Sequence, residues 1–159
     1  MTTAIILPPF PSDIHYPLAG RHPITNGWLY DPGITYLPHL VEMHDGAIQE
    51  STRHWGIDYG NTGFSTDGLA CWSGIIWRAE WSPYPGRGLE VILDHDDGIH
   101  FAVYDHASEV YVAKDDRVLA GEPIMRTGDS GLADGPHLHF AIAAYVNGQV
   151  IFRNPRRKP

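Results

Sequence analysis

The side chains of this chain best equipped for chemistry fall in three short segments. His54-Trp55-Gly56-Ile57-Asp58 offers an imidazole and a carboxylate four residues apart, and His137-Leu138-His139 offers two imidazoles two apart. Tyr104-Asp105-His106 lies between them and adds another imidazole. Residues two apart on a strand project from one face, so His137 and His139 would point together while Leu138 faces away. Imidazole nitrogen combined with carboxylate oxygen suits zinc, whereas magnesium and calcium prefer all-oxygen shells. A set of three such ligands leaves one coordination position open, as in a hydrolytic zinc site. Each fragment alone also has an ordinary explanation. The His137/His139 pair could sit on a solvated sheet face, Asp58 could be a surface or capping carboxylate, and His106 could be structural.

What must position these residues is a set of short strands. Leu89–Asp94 and Ile99–Tyr104 alternate apolar and polar positions around Asp94-His95-Asp96-Asp97-Gly98, a hairpin signal because Asp-Gly accepts positive φ. His137–Ala144 and Val150–Phe152 flank Asn147-Gly148 in the same way. Leu69–Trp81 reads as a long or broken strand, and Arg117–Ile124 as a turn and a strand. Residues 1–50 are punctuated by seven prolines from Pro8 to Pro38 and show little helical periodicity. There the pattern predicts one strand near Ile24–Tyr30 and a short helical turn near Leu37–His44. The chain thus divides into a proline-rich N-terminal extension packed on the core (residues 1–50) and a compact all-β unit (residues 51–159). Close-spaced strands with little helix predict an antiparallel sandwich or barrel-like fold.

Composition narrows the function classes. With 159 residues, 43% hydrophobic and 19% charged, the chain can bury a core of its own. A formal charge of −8 argues against nucleic-acid binding, which wants a basic face. The one basic cluster, Arg153, Arg156, Arg157 and Lys158, reads as a solvated tail. Cys71 is the single cysteine, so no intrachain disulfide can form, and its apolar neighbours predict a buried thiol. The apolar run Ala4–Leu7 is too short for a signal-peptide core, and no segment is long enough to span a membrane.

Taken in order, H-x-x-x-D, Y-x-H and Gly-Pro-H-L-H-F resemble the M23 family of zinc metallopeptidases, of lysostaphin/LytM type. Gly56-Ile57-Asp58, the glycine-rich Gly128, Ser130 and Gly131 before Gly135–Phe140, the turn Val118, Gly121 and Ile124, and the closing Asn154-Pro155 also fit that family. The resemblance covers roughly residues 51–155. It implies a compact antiparallel β-domain, a Zn2+ cofactor held by His54, Asp58 and His139, and catalytic roles for His106 and His137. It further implies a monomeric endopeptidase cutting peptide bonds in peptidoglycan stems or crosslinks at the bacterial cell wall. That is an extracellular or periplasmic setting, compatible with a phage-encoded origin and at odds with the missing signal peptide. The alternative is a non-catalytic LytM-like module that activates other cell-wall hydrolases, against which the full ligand set stands. A cupin-like zinc protein would need a glutamate after His139 at its own spacing, and none follows. The chain departs from the family in carrying Ala141 after the H-L-H-F, Asp105 inside Y-x-H, and a longer segment ahead of His54. Asn26, before Gly27, is either a turn residue or a fourth group reaching the zinc in a latent form.

Overall fold

The computed structural model describes residues 5–31, 36–60 and 64–156. Twelve strands and no helix are found among the described residues: β1 (Ile24–Asn26), β2 (His39–Glu42), β3 (Ile48–Ser51), β4 (Ile57–Tyr59), β5 (Asp67–Leu69), β6 (Gly74–Trp81), β7 (Leu89–Asp94), β8 (His100–Val110), β9 (Arg117–Val118), β10 (Pro123–Thr127), β11 (Leu138–Val146) and β12 (Gln149–Arg153). The long path through the sheet runs β3-β2-β12-β11-β8-β7-β6-β9, with β4 and β1 attached beside β11, and β10 and β5 beside the end of β8. Every pairing is antiparallel except β12 with β2, and the sheet stays open. The fold is all-β, as the strand pattern predicts.

Alternation along the central strands separates two apolar layers. On β11, Leu138, Phe140 and Ile142 enter one core with Trp72, Ile76, Tyr104 and Met125. Ala141 and Ala143, on the opposite face, pack with Val103, Ile92, Trp55 and Phe152. His139 belongs to that second face, two positions before Ala141, so the strand carries it into the groove while both its neighbours are buried inside. Ala141 is fully buried, and a small residue there lets the second layer close. Cys71 is also fully buried, and burial pushes its thiol up to about 12.

The hairpins predicted at Asp97-Gly98 and Asn147-Gly148 are present, with Gly98, Asn147 and Gly148 at φ 72°, 52° and 76°. The expected helical turn near Leu37–His44 is replaced by β2, which turns at Gly46 (φ 86°) into β3. The reason is non-local: β2 docks parallel on β12, placing Val41 against Phe152 in the second core. The strand expected over Ile24–Tyr30 is confined to Ile24–Asn26, where it pairs with β4 and brings Asn26 opposite Asp58. Arg153 is not solvated tail. It is 2% exposed and ion-paired with buried Glu42, while Arg157 and Lys158 lie outside the described residues.

Candidate metal centre and groove

Two strands and a turn converge on one point. β11 pairs β4 with His139 opposite Asp58, and the turn before β4 delivers His54. Asp58 Oδ1 lies 3.0 Å from His139 Nδ1 and 3.1 Å from His54 Nε2, and those two nitrogens are 3.1 Å apart. All three residues are buried. Gly56 permits the convergence, because a Cβ there would lie 2.7 Å from both the His139 ring and the Phe140 carbonyl oxygen.

The protonation pattern follows from the partners. The Nδ1–H of His54 donates to the Gly27 carbonyl at 3.0 Å, so Nε2 presents its lone pair to the centre when the ring is neutral. Burial would raise the Asp58 carboxyl, but the hydrogen bonds and charge of His139 and His54 outweigh it and hold it well below the usual carboxylate range. Burial pulls His54 downward, yet the hydrogen bond and charge of Asp58 prevail and raise it. His139 goes the other way: burial takes it down to about 3 against the pull of Asp58, with His54 and His106 adding to the fall. The Nε2 of His139 is buried without a hydrogen-bond partner, its ring edge-on to Trp55 at 4.2 Å between centroids. Two imidazole nitrogens and a carboxylate oxygen aimed at one another fit a divalent metal of zinc type, because only a shared proton or a cation relieves the facing lone pairs.

His106 and His137 stand beside this centre, their rings 4.5 Å apart, and His137 Nε2 is 3.9 Å from Asp58 Oδ1. The Nδ1–H of His106 donates to the Ser130 carbonyl at 2.8 Å, and that of His137 to the Gly135 carbonyl at 3.0 Å. Both Nε2 atoms are thereby left as acceptors. Burial, and then the charge of His137, lowers the pKa of His106. Its backbone has φ 68°, at the irregularity where Leu89 pairs Ala107 but Val91 pairs Tyr104. Strict alternation would place His106 on the core side with Tyr104; this bulge turns it into the groove instead.

Other residues at the site carry no motif. The amide Nδ2–H of Asn26 donates to Asp58 Oδ2 at 2.9 Å, so Asn26 grips the second oxygen of the carboxylate. Tyr36 tilts against His54 at 5.9 Å, its phenol raised by burial and by the charge of Asp58. Asp105 is 1% exposed beneath the groove, and burial and then Glu90 raise it well above the carboxylate range. Its Oδ1 is buried without a donor, and a proton held on Asp105 removes the repulsion from Glu90, whose Oε1 lies 3.3 Å from Arg78 Nε. The groove has a volume near 1010 Å³ and is walled by Tyr36, Tyr84, Arg87, Leu132 and Asp134.

The model of Peptidase family M23 matches residues 52–153, a span that includes all five histidine and aspartate positions. This chain belongs to peptidase family M23. It is 37% identical over 116 residues to the glycyl-glycine endopeptidase ALE-1 of Staphylococcus capitis, covering 71% of this chain and 30% of that protein. It is 35% identical over 124 residues to lysostaphin of Staphylococcus staphylolyticus, covering 77% and 24%. The chain therefore spans less than a third of the length of these M23 relatives. The catalytic domain of lysostaphin from Staphylococcus simulans superposes with a TM-score of 0.54 at 34% identity, over 70% of this chain and 78% of that one.

Proposed function

We propose that this M23 domain is a zinc-dependent endopeptidase that hydrolyses peptide bonds in bacterial peptidoglycan stems or crosslinks. The observation that carries the reading is the convergence of His54, Asp58 and His139 to mutual distances of 3.0–3.1 Å at the wall of a groove that also holds His106 and His137. In this reading His54 Nε2, Asp58 Oδ1 and His139 Nδ1 hold the metal. A bound zinc supplies Lewis acidity, polarising a carbonyl and lowering the pKa of water to about 7.

The chain's own residues supply the rest. His106 and His137, with Nδ1–H groups committed to carbonyls, offer Nε2 lone pairs toward the groove. They take the proton of the attacking water and return it to the leaving amine. The lowered pKa of His106 keeps it neutral, and so able to act as a base, near pH 7. Asn26 holds Asp58 by its second oxygen and fixes the orientation of the carboxylate. Because the relatives include a glycyl-glycine endopeptidase, glycine-containing crosslinks are the first substrates to try. The enzyme acts outside the membrane, where the wall lies.

The test is clearing of cell walls by the zinc-loaded protein, with release products from defined muropeptides identified by mass spectrometry. Clearing that stops on chelation and returns with zinc supports the reading. Clearing that survives chelation, or none from a zinc-loaded sample, overturns it.

A further inference from the structure

Arg87 sits on the groove wall in a setting that the metal and the two histidines do not account for. Its guanidinium carbon lies 4.5 Å from the ring centroid of Trp55 and 4.6 Å from that of Tyr84, so both aromatic rings contact the fork. Its Nη1–H donates to Glu90 Oε2 at 3.2 Å. Glu90 is fully buried, which fixes that end of the guanidinium. The Arg87 carbonyl accepts the backbone N–H of His106 at 3.0 Å, tying the loop to β8. An arginine carries five N–H donors. Glu90 takes one, and among the described residues the others meet no protein acceptor while the side chain borders the groove.

Such an arrangement is a prepared donor. The stacking and the ion pair remove the rotamer freedom that a free arginine would lose on binding. Trp55, the inner face of the stack, also packs on His139, so the fork is held at a fixed offset from the centre. Glu90, which also pairs Arg78 Nε at 3.3 Å, offsets part of the cationic charge, and Asp58 and Asp134 line the same groove. A neutral acceptor is therefore favoured over a carboxylate.

We propose that Arg87 is a substrate-docking residue whose unclaimed N–H groups receive main-chain carbonyl oxygens of the peptide lying in the groove. The proposal rests on the peptidase reading and names the part of the substrate engaged. Narrow, glycine-rich peptides gain most, since they let their carbonyls approach the fork between Tyr84 and Trp55.

The test uses the zinc-loaded full chain and oligoglycine. Arg87→Lys keeps a cation for Glu90 and removes the planar fork. Tyr84→Ala removes one stacking face and leaves the ion pair in place. With zinc content equal to wild type, Arg87→Lys raises KM about 10- to 100-fold, the value of a hydrogen bond to a charged group, with kcat within about twofold. Tyr84→Ala raises KM in the same direction by less. A His106→Ala background reads the same contrast as binding by calorimetry, without turnover. Oligoglycine amide and oligoglycine acid bind it equally. A peptidase that fails to cleave but binds oligoglycine in an Arg87-dependent way defeats the function and leaves the docking role standing. An unchanged KM and affinity in Arg87→Lys, a loss confined to kcat, an Arg87-dependent preference for the free acid, or no binding by the parent chain overturns the proposal.

Discussion

His54 Nε2 and His139 Nδ1 stand 3.1 Å apart although 85 residues separate them in sequence. With the Nδ1–H of His54 committed to Gly27, these atoms present lone pairs to each other and to Asp58 Oδ1. The β4–β11 pairing holds them there through the backbone, and Asn26 holds Asp58 from the far side. A cluster of acceptors forced together this closely needs a proton or a metal cation among them.

The first expected outcome concerns metal content. His139→Ala removes zinc from the purified protein, whereas His106→Ala retains it and loses about 10²- to 10⁴-fold in turnover. Elemental analysis by mass spectrometry beside a cleavage assay reads both. Full zinc in His139→Ala would remove the ligand assignment. Chelating the parent protein should lower Tm, because a metal at about a thousand times its Kd adds about 4 kcal/mol to the folded state.

Gly56→Ala tests the close approach behind His139. The added methyl meets the Phe140 carbonyl oxygen and the His139 ring at 2.7 Å, and the carbonyl is backbone within β11. Overpacking of this kind costs about 1–3 kcal/mol. The variant should melt lower and bind zinc more weakly in a competition titration. A variant with unchanged Tm and zinc affinity would mean that the turn before β4 yields more easily than the contacts imply.

Much of the scaffold around this site is legible in the chain because its turns are local. Asp97-Gly98 and Asn147-Gly148 fix two hairpins by backbone chemistry alone, and the second sets the register of β11 and β12. What alternation misassigns is His106, since a two-residue period carries it inward with Tyr104 and only the bulge at φ 68° turns it out. β2 and Arg153 escape for another reason. The environments of Val41 and Arg153 are made by residues over 100 positions away, Phe152 and Glu42 respectively. Arg87 belongs to no metal-ligand spacing and acquires meaning only beside Trp55, while Asn26, which the chain offers as a turn residue or a group reaching the zinc, donates to Asp58 Oδ2.

Asn26→Ala tests the grip on the carboxylate. The side-chain amide donates to Asp58 Oδ2 at 2.9 Å, and loss of such outer support weakens metal binding about 10- to 100-fold. Competition against a chelator of known affinity gives the number. Unchanged affinity would show that β4 alone orients Asp58.

The depressed pKa of His106 gives a pH signature. Burial and the charge of His137 both disfavour the imidazolium, so the folded pKa lies below the ordinary 6.5. A step that needs neutral His106 therefore keeps its rate as the pH falls through 6.5 and loses it only below the depressed folded value. The unfolded chain binds this proton more readily, so the group also removes stability as the pH drops below 6.5. His137→Ala takes away one lowering cause, and the His106 resonance should titrate at higher pH by NMR. A titration at or above 6.5 in the parent chain, or no rise in the variant, contradicts this account.

Arg153 tests the opposite side of the sheet. Its Nε and Nη2 donate to Glu42 at 3.3 and 3.2 Å, and its Nη1 to the Pro8 carbonyl at 2.8 Å and to His100 Nε2 at 2.9 Å. The last contact requires a neutral His100, which burial enforces by lowering its pKa while its Nδ1–H donates to Asp97. Arg153→Ala leaves Glu42 buried without this partner and opens space beneath Phe10, whose ring lies 5.0 Å from the guanidinium. Removing one member of a buried pair costs about 3–5 kcal/mol, whereas replacing both with apolar side chains is nearly neutral. Denaturant unfolding should therefore find Arg153→Met with Glu42→Leu more stable than Arg153→Ala. In the double variant His100 also loses the guanidinium charge that disfavours its protonation, so its pKa should rise toward the ordinary value. If the single and double variants lose equal stability, the Arg153–Glu42 pair is not what joins the Pro8–Phe10 segment to the sheet.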